Sequence, residues 1–400
     1  MTTIAVWILA TSAAVAIYAY VGYPALLWIA ARLRCPRPSE PPGEWPLVSV
    51  VLPAYNEERA IPAALDAVLA LDYPRDRMEI LVVSDASTDR TDAIVQEYAD
   101  RGVTLLRLRN RSGKTLAENA ARAHLKGEIV VNTDASVWLH PDALKPLVAA
   151  FSDPTVGVAS GRDVSVGRHV IDPNVGESEY VGYEMWVRDL ETTVDGIVGA
   201  SGCFYAFRAS LHMETVPAAL SRDFAAPLIA RENGFRAVSV RDAVCFVPRV
   251  SSLHSEYHRK VRTMTRGLET LFYKRHLLNP LRYGVFSWML FSHKLARWLV
   301  PWALAAGGLV IVALARTEPW ARWLLVPGGV GAAFGLLAWV WPSSKRIPRI
   351  VGVLAYVFLG MVAGLHSWVK ALRGDPNPVW EPTRRDAVEL GGAGVSRERR

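Results

Sequence analysis

The chain has 400 residues, 51% hydrophobic and 21% charged, with a net charge of +7. That length holds one large or two modest domains, and the apolar surplus beside so few charges implies an uneven distribution along the chain. The basic balance admits anionic lipid or phosphorylated substrates, whereas nucleic acid is a poor partner, because the basic residues gather beside apolar stretches instead of interleaving with exposed aromatics. Only Cys35, Cys203 and Cys245 occur, in neither metal-ligand nor paired spacing, which reads as reduced thiols in a cytosolic part.

Residues 4–31 carry no charge and are followed by Arg32, Arg34 and Arg37. This predicts a membrane-spanning helix with an extracytoplasmic N-terminus and a basic cytoplasmic flank. A Pro-rich linker follows over 36–46. β-Branched apolar runs at 47–52, 79–84, 103–108 and 128–133 alternate with helical patterns at 57–70, 89–100 and 114–126, which predicts a doubly wound, mostly parallel α/β sheet. Further on, 174–193 reads as an amphipathic helix, 197–208 as a Gly-punctuated strand and loop, and 222–234 as a helix. Residues 255–277 are helical and basic, suited to the headgroup plane. Three more apolar stretches lie at 296–314, 320–341 and 350–369. The last has cations at both ends, which suits a re-entrant or interfacial helix with both ends on one side.

Four polar islands fall at or after the ends of the predicted strands: Pro53 to Glu57, Ser84 to Asp89, Arg111 to Lys114 and Asn132 to Ser136. Ligands of open α/β sheets bind at that edge, so the islands point to one nucleotide pocket. Ser112-Gly-Lys-Thr115 lacks the earlier glycine of a P-loop, since Leu108 stands there, but Arg111 and Lys114 at a helix N-terminus suit a diphosphate. Asp89 reads as a helix cap, and Asp85 is placed to accept from an amide-like N–H of a nucleobase. Asp134 either bridges a divalent cation to the diphosphate or caps the next helix. Asp223, ahead of Phe224, Leu228 and Ile229, is either a general base whose burial raises its basicity or a first-turn carboxylate on the helix dipole. Arg259 and Arg262, one turn apart, either neutralise a leaving diphosphate or form a solvated face.

Taken in order, these islands resemble the family 2 glycosyltransferases of GT-A fold over about residues 47–277, in particular the cellulose, poly-N-acetylglucosamine and hyaluronan synthase-like membrane enzymes. The segment Pro53-Ala-Tyr55-Asn-Glu57 resembles the opening nucleotide motif, and Ser84 to Asp89 the base-binding motif, which implies a uracil contact for Asp85. Arg111 to Lys114 is similar to the R-x-G-K segment. Asp134-Ala-Ser136 resembles the D-x-D site, with Ser136 in place of the second carboxylate, which implies Mg²⁺ or Mn²⁺ on the sugar diphosphate. Gly199 through Ser201 and Gly202 to Arg208 resembles the loop that shapes the donor and acceptor pockets. Ser221-Arg222-Asp223 sits at the catalytic T-E-D position, with Arg222 for the usual acid on the acceptor side. Arg259 to Arg262 stands where processive synthases carry Q-x-x-R-W, here without its glutamine and tryptophan.

The expected organisation is a membrane helix over 1–34, a linker over 35–46, a GT-A domain over 47–254, interfacial helices over 255–295, membrane helices over 296–372 and a polar tail over 373–400. The resemblance implies an inverting membrane enzyme that moves a sugar from a nucleotide-sugar donor, a UDP-sugar, to a growing polysaccharide or oligosaccharide. A single transfer to a polyprenyl phosphate or other lipid is the alternative, and a non-catalytic nucleotide-responsive scaffold is the reading of another class. The expected place is the inner cell membrane, multi-pass, with the catalytic domain in the cytoplasm.

Overall fold

The computed structural model describes residues 2–34, 41–166, 175–248, 253–341 and 348–374. Residues 48–248 are built on an eight-stranded sheet of order β3-β2-β1-β4-β7-β6-β8-β5. The strands are β1 (Val48–Ala54), β2 (Met78–Ser84), β3 (Val103–Arg107), β4 (Ile129–Thr133), β5 (Trp138–Leu139), β6 (Val156–Val166), β7 (Phe204–Arg208) and β8 (Arg236–Pro248). The first four are parallel, as their apolar runs predict, and the register pairs Ala54 with Ser84 and Ser84 with Arg107. All four therefore end on one edge.

Alternate residues of these strands feed two separate cores. Val50, Leu52 and Val82 pack with Ile61, Leu65 and Val68 of the helix Ile61–Leu69. Val51, Leu81 and Val83 pack with Ala117 and Ala121 of the helix Lys114–Ala121 on the opposite face. This is the period-two split of strands buried on both faces.

The second half of the sheet is mixed. β7 runs antiparallel to β4 and β6, β6 is parallel to β8, and β5 is antiparallel to β8. The reversal at β7 has a positional effect: Thr133 pairs with Phe204, so the loop before β7 reaches the same edge as the carboxyl ends of β1 to β4. The strand expected from residue 197 starts only at Phe204, and 197–203 is that loop.

Four helices are long and apolar enough to cross a membrane: Thr3–Arg32, Val285–Leu314, Pro319–Leu337 and Val351–Arg373. Large apolar side chains on them are uncovered, with Trp7 69%, Leu309 73% and Trp323 77% exposed, as lipid-facing residues would be. The second of these helices starts well before 296, because a π-helical turn over Phe291–Ala296 carries it through from Val285. The expected interfacial region thus gives up its last residues to the apolar helix.

The helix Arg349–Arg373 is unbroken, which excludes a re-entrant hairpin. It packs on one side against Leu253 and Val261, through Ala355, Leu359 and Ser367, and on the other against the apolar helices, where Trp368 donates to the Trp298 carbonyl, Gly364 meets Pro301 and Phe358 meets Gly335. It thus joins the basic helix Leu253–Tyr273 to the other apolar helices. Beyond residue 374 the expected polar tail lies outside the described residues.

Candidate active site

The first two islands lock onto each other. Asn56 Oδ1 accepts from the Thr88 amide at 2.8 Å, and the Glu57 amide donates to Thr91 Oγ1 at 2.8 Å. Asp89 accepts from the amides of Thr91 and Glu58, at 2.9 and 3.1 Å, so it fixes the start of the helix Thr91–Glu97 as expected. Asn56 and Ala86 turn the chain with positive φ of 53° and 58°.

The third island is held by the second. Asp85, 2% exposed, accepts from the amides of Ser112 and Gly113, both at 2.7 Å. One lone pair on each oxygen of Asp85 thus supports the basic loop. Gly113 sits at φ 92° and ψ 160°, a conformation that lets the chain turn into the Lys114 helix. Arg111 stacks over the half-buried Tyr55 ring at 3.9 Å, forming a flat cationic platform beside Pro53, which lies within β1.

Lys114 joins the remaining parts. Its ammonium lies 2.5 Å from Asp134 Oδ1 and donates to the Gly202 carbonyl at 2.9 Å, across the β4–β7 edge. Burial pulls its pKa down, yet Asp134, Glu118 and Asp223 outweigh that pull and hold it above the ordinary lysine value. Glu118 is fully buried on the same helix, one turn on from Lys114. Burial pushes its carboxyl pKa up, against Lys114 and Arg222. No feature of the sequence marks Glu118 as a site residue, because Ala-Glu-Asn on a helix reads as ordinary surface polarity.

Asp223 lies in the first turn of the helix Arg222–Glu232 and accepts from the Ser221 hydroxyl. Its other oxygen faces Gly202, where an added Cβ would stand 2.7 Å away. Ser201 is a scaffold residue: it is 1% exposed and donates to Asp163 at 2.5 Å. Gly199 leaves room for Lys294, whose Nζ would be 3.1 Å from a Cβ there.

Arg222 lines the same cavity as Asp223, as a mostly buried side chain. It is 3% exposed and donates to Asn119 Oδ1 at 2.5 Å and to the His212 carbonyl at 2.6 Å, tying the Lys114 helix to the segment before Asp223. Arg259 lines the cleft but is engaged by the buried Glu256, at 2.7 and 2.8 Å, and Arg262 lines the same space. Arg266, unremarked in the sequence, donates to Thr115 Oγ1 and the Leu220 carbonyl and so fixes the basic helix beside Asp223.

Lys114, Asp134, Ser136, Asp223, Arg259 and Arg262 all line one cavity of about 780 Å³. Among the described residues no three His, Cys, Asp or Glu side chains cluster as a complete metal cage. Asp134 and Ser136 supply hard oxygen donors to one side of the cavity, which fits Mg²⁺ or Mn²⁺ whose remaining ligands come from a diphosphate.

Residues 49–212 match the model of the glycosyl transferase family 2. The chain carries a family 2 glycosyltransferase domain. The sheet and its helices are the GT-A fold. A solved mannosyltransferase, PcManGT from Pyrobaculum calidifontis in complex with GDP-Man and Mn²⁺, is 28% identical with a TM-score of 0.69, covering 91% of this chain and 99% of that one. An N-acetylglucosaminyltransferase of Rhizobium sp. (strain N33) is 26% identical, covering 84% of this chain and 77% of the relative. A beta-monoglucosyldiacylglycerol synthase of Synechocystis sp. is 30% identical over 41% of this chain and 36% of its own length. The chain spans only about a third of the length of the first curated relatives that it matches.

Proposed function

We propose that this glycosyltransferase domain transfers a sugar, with inversion, from a nucleotide-sugar donor to an acceptor presented at a membrane. The observation that carries the reading is the single cavity in which Asp223, the Lys114–Asp134 pair and the arginines of the basic helix converge and which continues to Pro301 and Leu304 of an apolar helix. Pro53, Tyr55, Glu57, Asp85 and Arg111 shape the donor nucleotide site, and a UDP-sugar is the donor implied by the resemblance. Asp134 and Ser136 hold Mg²⁺ or Mn²⁺, which when bound neutralises diphosphate charge.

Asp223 takes the proton of an acceptor hydroxyl with the oxygen that faces Gly202. The hydroxyl oxygen forms a bond to the anomeric carbon as that carbon's bond to the β-phosphate breaks, and nucleoside diphosphate leaves. One in-line displacement inverts the anomeric centre. Lys114, with Arg259 and Arg262, stabilises the charge that gathers on the leaving group.

A polysaccharide or oligosaccharide acceptor follows from the synthase resemblance. A lipid acceptor is the second reading, favoured by the reach of the cavity to Pro301, Leu304 and Met361. Apolar helices long enough to span, with arginines after the first, support a multi-pass protein of the inner membrane whose catalytic domain faces the cytoplasm. The test is a panel of radiolabelled nucleotide sugars offered to the purified protein with sizing of products. Label in a larger product is expected, and neither transfer nor donor hydrolysis with any donor would leave only the scaffold reading.

A further inference from the structure

Beyond Asp223, toward the apolar helices, the cavity wall is made of buried charge. His293 sits between two carboxylates, with Nδ1 2.6 Å from Glu191 Oε1 and Nε2 2.8 Å from Glu184 Oε1. Arg297 donates to Glu184 Oε2 at 2.8 Å, and the Tyr23 hydroxyl donates to Glu191 at 2.5 Å. These groups satisfy one another. Burial opposes ionisation of Glu184, but His293, Lys294 and Arg297 outweigh it and hold its pKa well below the ordinary carboxylate value.

Two further cations of this wall share Glu184 with His293 and Arg297 and are only loosely engaged by it. Arg188 is 8% exposed and lines the cavity, and among the described residues its Nε and Nη1 have no hydrogen-bond partner. Its nearest carboxylate oxygen, Glu184 Oε1, is 3.9 Å away and is already taken by His293. Lys294 lines the same space, with its ammonium 3.6 Å from Glu184, beyond hydrogen-bond reach. A buried guanidinium with two idle donors is costly unless an anion completes it, and a fork of N–H groups beside an ammonium suits phosphate oxygens.

The position of the pair narrows the ligand. Arg188 Nη2 donates to the Ala200 carbonyl at 3.2 Å, and Lys294 abuts Gly199, while Asp223 abuts Gly202 on the same loop. Lys294 also stands 5.7 Å from the ring centre of Phe224, the residue next to Asp223, so the pair lies on the Asp223 side of this loop. From there the cavity passes to Pro301, Leu304, Val357 and Met361, an apolar exit between the helices Arg297–Leu314 and Arg349–Arg373.

We propose that Arg188 and Lys294 form an anion subsite for the phosphate or diphosphate group of a membrane-anchored acceptor, whose sugar hydroxyl reaches Asp223 and whose apolar tail leaves between these two helices. This rests on the reading of the cleft as a sugar-transfer site. It names the acceptor as a lipid-linked sugar phosphate.

The test measures binding of farnesyl diphosphate to the full chain in nanodiscs, with the donor site first saturated with UDP, or with GDP if that is the nucleotide bound. Farnesyl diphosphate should bind more tightly than farnesol. Arg188→Gln and Lys294→Met should each weaken it by about 10- to 100-fold, the worth of a charged hydrogen bond, with nucleotide binding unchanged and Arg188→Lys partly restoring it. Equal binding of farnesol, or variants that bind like wild type while still binding nucleotide, would overturn the subsite. Inorganic pyrophosphate binding as tightly as farnesyl diphosphate would overturn its assignment to a lipid. Absence of any nucleotide binding would instead remove the sugar-transfer reading.

Discussion

Gly202 lies against Asp223 so closely that a Cβ on it would stand 2.7 Å from the carboxylate oxygen. The same residue's carbonyl accepts from Lys114, so a single glycine spaces the proposed base from the phosphate-side cation. Gly202→Ala should displace the Asp223 carboxylate and lower turnover by about 100-fold, the usual cost of a misplaced catalytic group, with little change in nucleotide affinity. Steady-state kinetics beside nucleotide titration would show it. Normal turnover would mean that the carboxylate is not held to that position.

Asp223→Asn keeps the volume but cannot take a proton. Turnover should fall by about 100- to 10,000-fold, as for loss of a general base, while the donor still binds. A variant with near wild-type turnover would remove Asp223 from the reaction.

The Lys114–Asp134 pair should separate into two effects. Asp134→Asn should weaken the Mn²⁺ dependence of nucleotide binding, seen by calorimetric titration with and without the metal. Lys114→Met should weaken nucleotide binding at every metal concentration, by about 10-fold or more, because a charged contact to the diphosphate is lost. An unchanged metal titration in Asp134→Asn would place the cation elsewhere.

His212 should make the fold sensitive to acid. It is fully buried, both ring nitrogens lack partners among the described residues, and burial, with Arg222 and Arg122, lowers its pKa well below the ordinary value. A lowered folded-state value means the unfolded chain binds the proton more readily. The stabilisation is therefore full above about pH 6.5 and is lost as pH falls below it, with a limiting slope of about 1.4 kcal/mol per pH unit. His212→Leu should remove this step, so that between pH 7 and 5 the variant's melting temperature falls less than that of the wild type. A parallel acid loss in the variant would assign the step to other groups.

Ala86 holds a left-handed turn at φ 58° directly after Asp85. Such a conformation costs a side-chain-bearing residue about 1–2 kcal/mol, so Ala86→Gly should stabilise the protein by about 1 kcal/mol despite the added freedom of the unfolded chain. Denaturant titration would check it, and a destabilised variant would show that the methyl group packs usefully.

The helix Arg349–Arg373 decides where the chain ends. If its contacts with Leu253 and Val261 of the basic helix hold both of its ends on one side, a reporter fused after Arg400 is active in the cytoplasm. Activity only in the periplasm would make this helix a fourth full span.

The parallel half of the sheet was legible because each of its strands is an unbroken apolar run that has to be covered on both faces. β6 and β8 were not, since polar residues such as Arg162, Asp163, Arg241 and Asp242 interrupt them where the strands leave the core. At the site, the islands of the sheet edge could be read because each follows its own strand. Glu118, Arg188 and His293 could not. The meaning of His293 comes from Glu184 and Glu191, each more than a hundred residues away, and that of Glu118 and Arg188 from the cavity around them, which no local pattern encodes.

Tyr23, Glu191 and His293 bolt two apolar helices to the domain that holds the donor loops. Removing these apolar helices to obtain the sheet domain alone would thus strip one wall from the cavity, taking His293 from Glu191, and His293, Lys294 and Arg297 from Glu184. If these helices cross a bilayer, its thickness and lateral pressure act on one wall of the cavity, and turnover should then follow lipid composition even when both substrates are saturating.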